Sequence, residues 1–375
     1  MNSELAEALA EIDDPETVQK VVQSVKNPTA PDGESRSHAD LPLLDELYER
    51  FLSRRRDRAP STRVQYKRTI PDFIDFAEDN AIETTGGLST DLVDRYVDSL
   101  QEQYDSDSTI ITYTKNVRTW LRWLNKRGLC GEPVYRILDK DELGLTPEAR
   151  DEALPAPEAT KILDNLRKQR RGSLMHALLE LAWNSGMRIG GLNSLDLRDF
   201  DPSNNEIRLR HRPKTGTRLK NGNEENGVGN GERNIELRDC VITALEEYIK
   251  GERPNVTDDY GREPLFATQH GRAAKSTLRR KIYAATSCRW TTAELEDQDC
   301  AGNCHPDTNV CPYSYYPHAI RRGAIVHHLS GGLRPDLASE RFNVSIQTIK
   351  KHYDPRTKRK RKEDRSDAVR NAWSS

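Results

Sequence analysis

The segment PHAIRRGAIVHHLSGGLRPDLASERFNVSIQTIKKHY, residues 317–353, carries most of the information about this chain. Proline is favoured in a first helical turn, so Pro317 predicts a helix start. His318 and Arg321 are three residues apart and therefore share one face of that helix. The segment ends at Tyr353. Helices are predicted over 317–330, 335–341 and 345–353.

The face shared by His318 and Arg321 suits a phosphate ligand. A guanidinium neutralises charge and an imidazole donates or shuttles a proton. Because such pairs also occur by chance on surface helices, this one alone predicts no function. Tyr353 could act as a nucleophile only with arginines and an acid–base group nearby, since the pKa of a tyrosine hydroxyl is about 10. The alternative for Tyr353 is a packed amphipathic side chain.

A further candidate functional residue lies upstream, in the segment NSGMRIGGL at residues 184–192. An apolar helix is predicted to end at Gly186, and Arg188 follows among apolar neighbours. An arginine in such surroundings is expected to point at a specific partner. The alternative is a structural ion pair within the core.

The chain before residue 130 predicts a four-helix bundle. Ser61-Thr62 and Ser89-Thr90 are candidate helix N-caps. After Asp107 the apolar side chains recur at steps of three and four, which indicates one buried helical face. That stripe consists of Ile110, Tyr113, Val117, Trp120, Leu121 and Leu124.

Composition and patterning divide the chain into five regions. We predict an acidic mobile arm over 1–40, a helical domain over 41–130, a Pro-rich linker over 131–156, a second domain over 157–355 and a basic tail over 356–375. The second domain is predicted to hold helices at 157–170, 174–185, 240–250 and 275–286. Alternating residues at 206–210 and 233–237 predict an antiparallel ribbon.

The charge of the chain permits nucleic-acid binding without demonstrating it. The net charge is −2. The first 40 residues hold nine acidic and three basic residues, which leaves a net +4 on residues 41–375. Basic clusters occur at 54–58 (RRRDR) and 358–362 (KRKRK), and phosphates are contacted by such patches. No apolar run is long enough to span a bilayer and no signal-peptide core is present, so a cytoplasmic, nucleoid-associated protein is expected.

Taken together, the ordered motifs and the helical domain before them resemble the tyrosine recombinase (phage integrase) family over about residues 41–355. The ending ERFNVSIQTIKKHYD is similar in style to integrases of halophilic archaea. The resemblance implies a mainly α fold with a small antiparallel β ribbon. It also implies a helical core-binding (SAM-like) domain that clasps DNA, followed by a tyrosine recombinase catalytic domain.

The resemblance implies a site-specific recombinase that breaks and rejoins double-stranded DNA through a 3′-phosphotyrosyl bond on Tyr353, as a homo-tetramer on paired sites. Lys115, Arg118 and Arg122 are candidate DNA contacts. No cofactor is expected for catalysis. The implied catalytic residues are Arg188, Lys220, His318, Arg321, Asn343 and Tyr353.

At one position of the family pattern two residues are candidates, and at two others this chain has a different residue from the family. The family lysine lies in the ribbon, where Lys220 is preferred and Lys214 is an alternative. The family often has His after the His-x-x-Arg arginine, and here Arg322 stands there. Asn343 replaces a second His or Trp; it can donate a hydrogen bond but cannot act as a tuned proton donor.

Four cysteines fall in one short insertion within the second domain, at 288–311. Clustered cysteines in a cytosolic chain favour metal over disulfides. A structural zinc is expected on Cys288, Cys300, Cys304 and Cys311, and free thiols in a variable insertion are the alternative.

Three other functions remain as alternatives. A DNA-binding protein of the same fold that has lost catalysis would explain Arg322 and Asn343. A type IB topoisomerase would share the same residues but would relax supercoils without pairing sites. A zinc-stabilised interaction module rests only on the cysteines and leaves Arg188, His318 and Tyr353 unexplained.

Overall fold

The computed structural model describes residues 41–147, 152–220, 231–290 and 311–354, together with residues 366, 370 and 373. The chain divides into two compact units at residues 149 and 150. The predicted acidic arm lies outside the described residues, as does nearly all of the basic tail. Among the helices that the structure describes, none combines the length and the apolar character needed to cross a bilayer.

The first unit is the predicted four-helix bundle with one short additional helix. Ser89 caps the third helix by accepting a hydrogen bond from the backbone N–H of Leu92 at 3.2 Å. The predicted cap at Ser61-Thr62 is wrong, because that helix begins at Pro60, which needs no N–H donor in a first turn. The helices are α1 Leu44–Ser53, α2 Pro60–Asp79, α3 Thr90–Gln103, α4 Asp107–Asn125 and α5 Glu132–Arg136.

The predicted linker contributes to the cores of both units. Val134, Leu138 and Leu145 are buried with the apolar faces of the bundle. Leu154 is buried in the core of the second unit. The segment 131–156 is therefore mostly packed structure, because its scattered apolar residues cover the bundle although its prolines and charges indicate a loop.

The second unit is built around α7, all of whose residues are buried. The helices α6, α9, α10 and α11 pack against it. The predicted helices and the ribbon are confirmed within one or two residues. The helices are α6 Ala156–Gln169, α7 Leu174–Ser185, α8 Ile189–Ser194, α9 Asp239–Lys250, α10 Lys275–Ala285, α11 Pro317–Ser330, α12 Pro335–Phe342 and α13 Ile346–His352.

Two small antiparallel sheets complete the second unit. The first has the order β1-β2-β3, in which Leu209 of β2 lies opposite Arg233 of β3. A buried ionic network lies beside this sheet and joins three aspartates to three arginines: Asp196, Asp199 and Asp258 with Arg212, Arg262 and Arg272. The strands are β1 Phe200–Asp201, β2 Glu206–Leu209, β3 Arg233–Glu236, β4 Ala267–Thr268 and β5 Gly271–Arg272.

Candidate active site

The turn after α7 aims Arg188 because Gly186 adopts a left-handed conformation with φ +56°. A Cβ at this position would lie 2.7 Å from Cδ1 of Phe342, so the close approach also requires glycine. Arg188 then caps α8 from extended backbone. Its Nη1 donates a 3.3 Å hydrogen bond to the carbonyl of Asn343.

Arg321 is the most buried charged group of the site, with 1% of its surface exposed. Its Nη1 donates to the carbonyl of Gly186 at 2.6 Å and its Nη2 to the carbonyl of Phe342 at 2.7 Å. Its Nε has no hydrogen-bond partner among the described residues. Burial and then the charge of Arg188 lower its pKa to about 9, and Tyr353 opposes the change. The guanidinium stays protonated at neutral pH, and no carboxylate among the described residues balances its charge.

Arg233 is a third arginine of this cluster, and the sequence analysis did not assign it to the site. Its Nε donates to the carbonyl of Arg341 at 2.6 Å and its Nη1 to that of Gly231 at 2.8 Å. Burial, followed by the charges of Arg188 and Arg341, lowers its pKa to about 10. The available signal was the Gly-Glu-Arg sequence at residues 231–233, which leads into β3 directly after the ribbon turn.

Tyr353 ends α13 with 8% of its surface exposed and packs in a small apolar cluster with Phe342 and Ile349. Its hydroxyl interacts with Arg321 and opposes the lowering of that arginine's pKa. The guanidinium carbon of Arg322 lies 5.7 Å from the centre of the tyrosine ring. Nη2 of Arg322 also donates a hydrogen bond to the carbonyl of His352 at 3.0 Å. Arg322 therefore holds the end of α13 against α11.

His318 lies in the first turn of α11 and is exposed at the surface. Partial desolvation by its neighbours lowers its pKa from the ordinary value of 6.5. The positive charges of Arg321, Arg188, Arg322 and Lys220 act in the same direction. The neutral imidazole, which can accept a proton, is therefore favoured at pH 7.

The two candidate lysines lie in different surroundings. The charge of Lys220 reaches His318. Lys214 lies in a short 3-10 turn over 213–215, and Arg262 holds that turn by donating to the carbonyl of Thr215 at 2.6 Å. Lys220 therefore stays the preferred candidate, and Lys214 remains the alternative.

Asn343 ends α12 in a left-handed conformation with φ +49°, which asparagine tolerates well. Its carbonyl receives Arg188. Its side-chain Nδ2 lies 2.9 Å from the position a Cβ would take on Gly231, so the amide faces the end of the ribbon loop. The carbonyl of Lys220 is 3.4 Å from that same position. Asn343 thereby connects α12 to the ribbon.

Only part of the predicted zinc site can be placed. Cys300 and Cys304 lie outside the described residues. The backbone N–H of Cys288 points to the sulfur of Cys311 at 3.4 Å, so these two cysteines lie together. Within the described ranges no group of three or more His, Cys, Asp or Glu side chains forms a metal site. The zinc stays a prediction.

Comparisons with known proteins give phage integrase matches in both units. The phage integrase family profile matches residues 152–353, and the profile of the phage integrase N-terminal SAM-like domain matches residues 46–128. A tyrosine recombinase XerC of Roseiflexus castenholzii is 26% identical over 235 residues, which covers 60% of this chain and 68% of the relative.

Two solved structures share the fold. The Tn1549 transposon integrase in complex with a circular intermediate DNA has a TM-score of 0.63 at 16% identity, covering 86% of this chain and 99% of the other. A lambda integrase tetramer bound to a Holliday junction has a TM-score of 0.57 at 13% identity, covering 92% and 89%. At these identities the likeness concerns the fold alone.

Proposed function

The chain belongs to the phage integrase family, and we propose from that premise that it is a site-specific recombinase, which breaks and rejoins DNA through a 3′-phosphotyrosyl bond on Tyr353. The observation that carries the proposal is the burial of the Arg321 guanidinium beside Tyr353, with hydrogen bonds to the carbonyls of Gly186 and Phe342 and no carboxylate partner among the described residues. A hydroxyl beside such a cation is placed where a phosphate diester would bind.

The three arginines supply the electrostatic part of the reaction. Arg188 and Arg321 bind the non-bridging oxygens of the scissile phosphate and stabilise the charge that builds up in the transition state. Arg233 adds a third positive charge to this cluster. Because the carbonyls of Gly186 and Phe342 fix the Arg321 guanidinium before DNA arrives, little reorganisation is needed on binding.

The proton transfers fall to the residues around the arginines. The Tyr353 oxygen forms a bond to phosphorus as its proton passes to the neutral imidazole of His318. The bond from phosphorus to the 5′-oxygen breaks, and Lys220 gives that oxygen a proton. Asn343 adds a hydrogen bond to the phosphate. The phosphotyrosyl bond conserves the energy for rejoining, so the scheme uses no nucleotide.

Strand exchange is proposed to take place in a homo-tetramer on two double-stranded DNA sites, as in the lambda integrase tetramer on a Holliday junction. In the first unit the exposed side chains of Lys115 and Arg122 are proposed to contact phosphates, and such contacts weaken steeply with salt. Arg118 lies between them on α4 but pairs with Asp139. DNA binding by Arg118 would therefore compete with this ion pair.

The test begins by selecting bound sequences from a random duplex library with the Tyr353→Phe protein, which cannot become trapped on DNA. The selected site is then made with a nick just beyond the cleavage point, so that a short fragment is lost and the covalent complex accumulates. Wild type is expected to give a covalent band on denaturing gels and Tyr353→Phe none. Tyr313→Phe is the matched control, since Tyr313 is 67% exposed.

The outcomes separate the alternatives. A covalent band that only Tyr353→Phe abolishes supports the proposal. Tight, specific binding without an adduct from wild type would instead indicate a DNA-binding protein that has lost catalysis. Relaxation of supercoiled plasmid that lacks the selected site, with no recombination between two copies of it, would indicate a topoisomerase.

A further inference from the structure

His211 makes two hydrogen bonds that join the two sides of the ribbon beyond the last paired residues. Its ring Nδ1 accepts the backbone N–H of Leu219 at 3.0 Å. Its own backbone N–H donates to Oε1 of Glu232 at 2.7 Å. Leu219 directly precedes Lys220, and Glu232 directly precedes β3. One residue thereby fixes the chain on both sides of 221–230.

The chain between His211 and Leu219 is fixed independently of the histidine. Arg212 and Thr217 exchange two backbone hydrogen bonds of 3.0 and 3.1 Å, which close the loop over residues 212–217. Arg262 also anchors this loop by donating a hydrogen bond to Oγ1 of Thr217 at 3.0 Å. The side chain of Leu219 is buried with 5% exposure. The hydrogen bond to Nδ1 of His211 therefore sets the direction in which the backbone runs from this loop toward Lys220.

We propose that His211 is a positioning residue for Lys220, acting through the Leu219 N–H to aim the lysine at the departing 5′-oxygen. The inference rests on the proposed role of Lys220 as the proton donor. It requires the ring to be neutral at Nδ1, since a protonated imidazole has no acceptor. Burial and the charge of Arg218 favour the neutral form by lowering the pKa of His211, and Glu232 opposes them.

Two substitutions separate the acceptor from the rest of the side chain. Asparagine places Oδ1 where histidine has Nδ1, so His211→Asn keeps the bond to Leu219. His211→Leu keeps similar bulk without an acceptor. With the nicked duplex, His211→Leu is expected to slow covalent adduct formation about tenfold, the effect of one well-placed hydrogen bond. His211→Asn is expected to stay within about threefold of wild type.

A second substrate shows whether the loss concerns the proton donor. In it sulfur replaces the bridging 5′-oxygen, and a thiol, with a pKa of about 8.5, leaves as thiolate without a proton. His211→Leu is expected to react with this substrate within about twofold of wild type. Lys220→Ala is run beside it and is expected to lose at least about 100-fold on oxygen and to recover on sulfur.

The outcomes distinguish the inference from the function on which it rests. Should Lys220→Ala fail to recover on sulfur, the proposed role of Lys220 falls, and the inference with it. Should Lys220→Ala recover while His211→Leu does not, only the inference falls, and His211 has a general structural role. An unaltered rate for His211→Leu on oxygen, or equal defects in His211→Leu and His211→Asn, would also overturn it.

Discussion

Replacing Gly186 by alanine tests whether the turn after α7 builds the arginine site. The residue has φ +56°, where an L side chain costs about 1–2 kcal/mol. The new Cβ would also lie 2.7 and 2.8 Å from Cδ1 and Cε1 of the Phe342 ring, a contact that forces that ring to move. Overpacking of this kind costs about 1–3 kcal/mol. The expected total is about 2–5 kcal/mol.

The substitution should impair chemistry more than it impairs folding. Arg321 is anchored on the carbonyls of Gly186 and Phe342, which are the two residues that the clash pushes apart. A displacement of about 1 Å in a catalytic group can cost about 100-fold in rate. The rate of covalent adduct formation on the nicked duplex should therefore fall by about that factor, while specific DNA binding is kept.

The stability change is read in the full chain by hydrogen exchange of peptides from α7, since two units need not unfold together. Gly261→Ala is the matched control, because Gly261 has φ +69° but nothing within 4 Å of its Cβ position. It should show the conformational part of the cost alone. A Gly186→Ala effect no larger than that of Gly261→Ala would refute the argument from close packing.

Three further predictions concern residues around this turn and the cysteine insertion. Arg322→Ala should slow adduct formation about tenfold by freeing the end of α13, whereas the exposed control Arg334→Ala should not. Equal rates for Arg322→Ala and wild type in single-turnover assays would contradict this prediction. Because the pKa of His318 is lowered from 6.5, the rate should stay constant near neutral pH and fall only at a pH below that value. A rate that does not fall at any acidic pH at which the protein stays folded would contradict the imidazole as proton acceptor. Elemental analysis after dialysis should find about one zinc ion per chain, lost in Cys311→Ser; a substoichiometric content in wild type would refute the site.

Much of the fold follows from local sequence because helix periodicity and punctuation are local signals. The helix over Pro317–Ser330 and the ribbon strands agree with prediction for this reason. The segment 131–156 was harder, since prolines and charges there obscure the few apolar residues that pack on the bundle. Burial of Val134 and Leu145 depends on surfaces that the other helices supply, which no local pattern reports.

The residue types of the candidate site come from the sequence, whereas only part of its geometry could be predicted. The order of Arg188, His318, Arg321 and Tyr353 along the chain resembles a known family, and these residues are brought together. Arg233 escaped because its partners are backbone carbonyls, one of them on residue 341, and any residue type can supply a carbonyl. A sequence pattern therefore carries no record of that contact.

The second unit buries arginines in two different ways, and the difference distinguishes a charge-balanced ionic network from the proposed catalytic arginine. Beside the sheet, Arg212 and Arg272 face the carboxylates of Asp196, Asp199 and Asp258, so the positive charge is already balanced. Arg321 is more deeply buried, and its hydrogen bonds to the described residues go to the carbonyls of Gly186 and Phe342 and to no carboxylate. A buried cation without a counter-charge is costly, and the cost is offset when an anion binds. In the proposed function, the phosphate of a bound DNA strand supplies that anion.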